Sequence, residues 1–79
     1  MKALFFAQCR LVTGRDDYLL KSERPLTQRE FWSYLIEAFP GLAVHQKTSR
    51  LARHEVYLCG DELLHPTDEI AIIPPVSGG

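Results

Sequence analysis

Gly78 and Gly79, closing the run Pro74-Pro75-Val76-Ser77-Gly78-Gly79, are the residues whose type and placement point to chemistry. Lacking Cβ atoms, a diglycine can thread a narrow channel in another protein and present the α-carboxylate of Gly79 for activation. Once adenylated, that carboxylate becomes an acyl group with a good leaving group. Attack by a persulfide, with a thiol then cleaving the S–S bond of the adduct, leaves a thiocarboxylate at Gly79. Pro74 and Pro75 cannot donate to a sheet ladder, so they keep Val76 and Ser77 from folding back into a sheet. Gly-rich ends are common; what sets this one apart is its attachment through Pro-Pro to a strand.

The rest of the sequence offers no internal enzyme site. It contains no Gly-rich phosphate loop, no Gly-x-Ser-x-Gly and no His-x-x-x-His. His45, His54 and His65 are separated by loops and strands and read as surface or turn residues. Asp61, Glu62, Asp68 and Glu69 flank turns, where acidic side chains cap and solubilise. Cys9 and Cys59 form no Cys-x-x-Cys and read as buried, inert thiols, so no metal centre is expected. A [2Fe-2S] cluster needs four cysteine ligands and only two cysteines are present.

Composition narrows the classes further. A chain of 79 residues with 46% hydrophobic and 24% charged residues is an ordinary single globular domain. Its net charge of −1 and the lack of a basic run argue against a nucleic-acid partner. The apolar run Ala3–Ala7 is too short for a signal peptide, and nothing approaches the roughly 20 apolar residues of a membrane span. A cytoplasmic protein is expected.

The elements that must position the terminus can be read in order. Lys2–Cys9 is apolar with no breaker and predicts a strand; Thr13–Asp17 is a turn, and Tyr18–Leu20 predicts a second strand that closes a hairpin. Thr27-Gln28-Arg29-Glu30 is a capping box that opens a helix, and Pro40-Gly41 ends it. Phe31, Leu35 and Phe39, flanked by Trp32 and Ile36, give that helix a wide apolar stripe for a core. Residues 42–53 read as a loop around one end of the sheet. Glu55–Leu58 and Leu63–Leu64 predict a further hairpin around Gly60-Asp61. Glu69–Ile73 is a strand that Pro74-Pro75 terminates. The order β-β-α-β-β-β is α+β: a mixed sheet of four to five strands on one helix, with a domain over 1–75 and a flexible tail over 76–79. The first and last strands are apolar on both faces, which places them together at the sheet centre. One face packs on the helix; a protein partner or the 42–53 loop must cover the other.

The sequence resembles the MoaD-like small subunit of molybdopterin synthase, a family of ubiquitin-like β-grasp sulfur carriers. Leu4-Phe5-Phe6-Ala7-Gln8-Cys9-Arg10 is similar to its first strand, and Asp68–Ile73 followed by Pro74–Gly79 is similar to its C-terminal signature. The resemblance implies that Gly79 carries the thiocarboxylate after ATP-dependent activation by an E1-like adenylating enzyme, with a sulfurtransferase or desulfurase supplying sulfur indirectly. It also implies that Val76, Ser77 and Gly78 insert with Gly79 into the large subunit. There sulfur passes to cyclic pyranopterin monophosphate, two carriers serving one dithiolene in a heterotetramer. Phe6, Arg10, Ile73, Pro74 and Pro75 are the implied partner contacts, catalytic residues are expected on the large subunit, and no cofactor is bound by this chain. Three places depart from the family pattern: Pro66-Thr67-Asp68 replaces an Asp-Gly-Asp turn, His54 stands where Asn is usual, and Ile72-Ile73 where Phe is frequent.

Three other readings share some of these features. A carrier for thiamin synthesis or tRNA thiolation would keep the fold and the diglycine, but the Phe-Phe-Ala opening and Pro-Pro-Val-Ser-Gly-Gly ending favour the molybdopterin branch. A ubiquitin-like modifier would be joined to lysines of other proteins. A β-grasp binding module would make no use of Gly79.

Overall fold

A computed structural model describes residues 1–75. Five strands form one mixed sheet in the order β2-β1-β5-β3-β4, with β1 at Lys2–Phe5, β2 at Asp17–Leu19, β3 at Arg50–Arg53, β4 at Val56–Tyr57 and β5 at Glu69–Ile73. β1 and β5 run parallel and every other pair is antiparallel. The first and last strands therefore do lie together inside the sheet, as their two-sided apolar character predicts. Parallel neighbours need a crossover, and here nearly the whole chain supplies it.

Helix α2, Gln28–Ala38, starts where the capping box predicts. Thr27 accepts from the Glu30 amide at 3.1 Å and Glu30 accepts from the Thr27 amide at 3.0 Å, so two otherwise orphaned donors are satisfied. Phe31, Trp32 and Leu35 are buried, while Ile36 and Phe39 pack at the margin. Phe39 meets Phe5 and Tyr18 edge-on, with ring centroids 5.6 and 5.1 Å away. Across from α2 the core takes Ala3 and Phe5 from β1, Leu51 from β3 and Ile70 and Ile72 from β5.

Thr27→Ala is expected to cost about 1 kcal/mol, because the lost hydroxyl leaves one amide at the helix start unpaired. The pH dependence follows from Glu30. Arg24, bonded to it at 2.7 Å, and the Thr27 amide hold its carboxyl at about 2, below the ordinary 4.5. A depressed carboxylate contributes stability that is complete above pH 4.5 and lost as pH falls through 2. Thermal melts of wild type and Glu30→Gln should thus differ at pH 7 and converge toward pH 2.

Several expectations need correction. The strand expected over Lys2–Cys9 ends at Phe5, and Ala7–Thr13 forms a helix, α1. Ala7 adopts φ 48° and turns the chain without a glycine to announce it. Gly14, at φ 70°, ends α1 in the left-handed conformation and donates to the Arg10 carbonyl at 2.8 Å. β1 and β2 do pair antiparallel, but across this helix and not a tight turn. A single-helix fold is thus too few: a 3₁₀ helix, Pro40–His45, also packs against both α helices. The 42–53 segment is that helix followed by β3. β4 pairs with β3, not with Leu63–Leu64; Leu64 instead makes an isolated bridge to Leu26.

Candidate functional site

Strand alternation decides what the sheet shows on the face away from α2. Ile70 and Ile72 are fully buried, so Glu69, Ala71 and Ile73 point the other way. The register sets Leu4 beside Ala71 and Ala71 beside Ala52, a row of apolar side chains with two alanines at its middle. Small residues flanked by larger ones leave a hollow. It is a groove of about 390 Å³, bounded also by Phe6 and Ile73, with His54, Glu55 and Glu69 along the rest of its lining.

Of the predicted partner contacts, the structure brings Phe6 and Ile73 together in this groove. Phe6 is 46% exposed, which rules out core packing for it. Ile73 is half-buried, Pro74 buried and Pro75 exposed, so the chain leaves the sheet from the groove's own end. Arg10 is not part of it; it sits exposed on α1, 3.2 Å from Asp16. Val76, Ser77, Gly78 and Gly79, the remaining predicted site residues, lie outside the described residues. Ile72, one of the two positions where the family pattern carries Phe, belongs to the core and not to the contact face.

Sequence reasoning passed over Leu4, Ala52, Ala71, His54, Glu55 and Glu69. The alternation within Glu69–Ile73 was the available signal for Ala71. The others depend on a register between strands far apart in sequence. Of residues 42–53 only Ala52 lines the groove, and it does so as part of β3, so the loop expected as its possible cover does not provide it.

His54 and Glu55 form a two-residue turn between β3 and β4, both with positive φ (53° and 65°), the type I′ pattern normally built from Asn-Gly. The residues just before each half of this groove end are locked together. Arg53, preceding His54, donates to Asp68 Oδ2 at 2.8 Å, to the Leu63 carbonyl at 3.0 Å and to Glu62 Oε1 at 3.2 Å. Asp68, preceding Glu69, also accepts from the His65 amide at 2.9 Å. Burial disfavours the Asp68 carboxylate, but the His65 amide and the Arg53 guanidinium outweigh it and hold its carboxyl below the ordinary value. Glu62 and Asp68 are therefore structural ligands of Arg53 as well as turn residues.

The cysteines divide. Cys9 is fully buried, and burial pushes its thiol up, as expected of an inert side chain. Cys59 is exposed, contrary to expectation, because its turn lies at the surface. Both are free thiols. Among the described residues no cluster of His, Cys, Asp or Glu could hold a metal ion, and no helix is long and apolar enough to cross a membrane.

A family model described as the ThiS family matches residues 3–79. The chain belongs to the ThiS family. A relative from Arabidopsis thaliana, the molybdopterin synthase sulfur carrier subunit, is 37% identical over 79 residues, covering 100% of this chain and 82% of its own length. The Homo sapiens protein of the same name is 34% identical over 82 residues, covering 100% of this chain and 93% of its own. Among solved structures, the small archaeal modifier protein 1 of H. volcanii superposes with a TM-score of 0.82 at 20% identity, over 95% of each chain. The fold of this ThiS-family chain is accordingly the α+β, ubiquitin-like β-grasp expected from its sequence.

Proposed function

We propose that this chain is the sulfur carrier subunit of a molybdopterin synthase. An E1-like enzyme adenylates the Gly79 carboxylate with ATP and releases pyrophosphate. The outer sulfur of a persulfide, delivered by a sulfurtransferase or desulfurase, then displaces AMP to give an acyl disulfide, and a second thiol cleaves its S–S bond, which releases the thiocarboxylate and leaves the two thiols joined as a disulfide. Val76–Gly79 enters the large subunit, which holds the catalytic residues, and the sulfur goes to cyclic pyranopterin monophosphate. This chain binds no cofactor of its own, and the work takes place in the cytoplasm.

The observation that carries this reading is likeness, over the full chain, to two proteins named sulfur carrier subunits, with the terminal diglycine inside the matched span. The groove gives the proposal a physical basis. Apolar contacts at Phe6, Ala71 and Ile73 can hold a partner next to the point where the tail departs, so binding energy remote from the reaction fixes the position of Gly79.

Reconstitution tests it: the chain, an E1-like enzyme, ATP, a sulfur source and the large subunit should convert cyclic pyranopterin monophosphate to the dithiolene product. Higher-mass adducts on lysines of other proteins, with no dithiolene formed, would identify a protein modifier instead.

A further inference from the structure

A second hollow lies apart from the groove and shares none of its lining residues. It measures about 340 Å³ and sits between the opening of α2, which contributes Arg29 and Trp32, and the chain entering β3, which contributes Gln46 and Arg50. Leu51 and the half-buried Leu58 form the apolar part of its wall.

The polar groups around this space are donors without acceptors. Trp32 is 5% exposed, yet among the described residues its indole N–H has no hydrogen-bond partner, and neither has the side-chain amide of Gln46. A buried indole N–H normally finds an acceptor. Arg29 and Arg50 make no ion pair among the described residues. Glu30, beside Arg29 in the chain, is taken by Arg24 at 2.7 Å. Arg50 lies over the Tyr57 ring at 4.3 Å, which holds its guanidinium at the rim. Exposed arginines alone are ordinary solvated surface; the unpaired N–H of a tryptophan buried between them is what sets this place apart.

Donors converging with no acceptor of the chain's own call for an anionic ligand. Two guanidinium forks, an indole N–H and an amide offer more than the two oxygens and single charge of a carboxylate can use. A phosphate monoester brings three free oxygens and nearly two negative charges, and its organic part would need an apolar wall. We propose that the hollow is a binding site for a small phosphate monoester. Arg29 and Arg50 hold the phosphate, the Trp32 N–H donates to one of its oxygens, and the organic group lies against Leu51 and Leu58. This site does not depend on the sulfur-carrier reading.

Amide chemical shifts of the full chain, titrated with phenyl phosphate, inorganic phosphate and benzoate at constant ionic strength, provide the test. Phenyl phosphate should give saturable shifts at residues 28–29, 32, 46 and 50–51 and bind more tightly than inorganic phosphate, with benzoate weakest. Trp32 is the one tryptophan of the chain, so its indole N–H gives a single signal, which should move downfield as it gains an acceptor. Arg29→Gln and Arg50→Gln should each weaken phenyl phosphate binding by about tenfold or more with the melting temperature unchanged, because each removes a charge-assisted bond from an exposed position. Shifts that fail to saturate, that spare the indole signal or that persist in both arginine variants would overturn the site. Benzoate binding as tightly as phenyl phosphate, or inorganic phosphate binding as tightly as its phenyl ester, would overturn the proposed ligand class. Neither the E1-like enzyme nor the large subunit enters the experiment, so the carrier reading stands or falls separately.

Discussion

Removing Gly79, or amidating its carboxylate, is expected to lower dithiolene formation by at least about 100-fold while the melting temperature stays within a degree or so of wild type. The reacting carbon belongs to Gly79, and deletion moves the new terminus back by one residue, a displacement of about 3.5 Å. Misplacement of a reacting group by only about 1 Å can cost on the order of 100-fold. Stability should not follow, because the described core is complete before Pro75 and its last strand closes at Ile73. The large subunit should still bind the shortened chain, since the groove at Phe6, Ala71 and Ile73 is untouched. Loss of activity with retained binding separates a carrier from a β-grasp binding module, in which Gly79 would be dispensable.

Phe31→Ala should act in the opposite way, on folding and not on chemistry. Phe31 is fully buried at the first turn of α2, facing the sheet. Truncating a buried Phe costs about 3–5 kcal/mol in lost transfer energy and cavity formation. At roughly 0.05–0.15 kcal/mol per residue, a domain of 79 residues holds about 4–12 kcal/mol in total. The variant should therefore lose a large part of its stability and populate unfolded chain near 37 °C. Urea titration checks this: the midpoint should fall with an unchanged slope, because the folded state still buries nearly the same surface. Sulfur loading of whatever fraction remains folded should be normal.

The start of α2 and the last strand were legible in the sequence because their signals are local. The capping box at Thr27 and Glu30 is a pattern of four residues that satisfies its own amides. β5 declares itself by three isoleucines and the prolines that stop it. Even the central pairing of β1 with β5 could be inferred, from strands apolar on both faces. What stayed hidden depends on backbone conformations that their residues do not advertise. Ala7, His54 and Glu55 all have positive φ, yet none is glycine or asparagine, so the strand-to-helix corner after Phe5 and the β3–β4 hairpin went unannounced. β3 itself, Arg-Leu-Ala-Arg, has only two apolar residues, and its place beside β5 comes from packing rather than propensity.

The candidate site divides along the same line. The diglycine and its proline bracket are readable as a string, and so is the apolar character of β5 on both faces. The hollow over Ala52 and Ala71 is a product of register between β3 and β5, with Leu4 from β1 completing it. Arg53 could not be singled out from the sequence, because its importance lies in three acceptors contributed by residues 62, 63 and 68.

The central claim, that Gly79 carries sulfur, is tested most directly by the intact mass of the untagged protein after incubation with ATP, a matching E1-like enzyme and a sulfur source. Replacement of one carboxylate oxygen by sulfur predicts a gain of about 16 Da, located at Gly79 by fragmentation. An unchanged mass, with an enzyme shown to be active on another carrier, would contradict the account and leave a β-grasp binding module in its place.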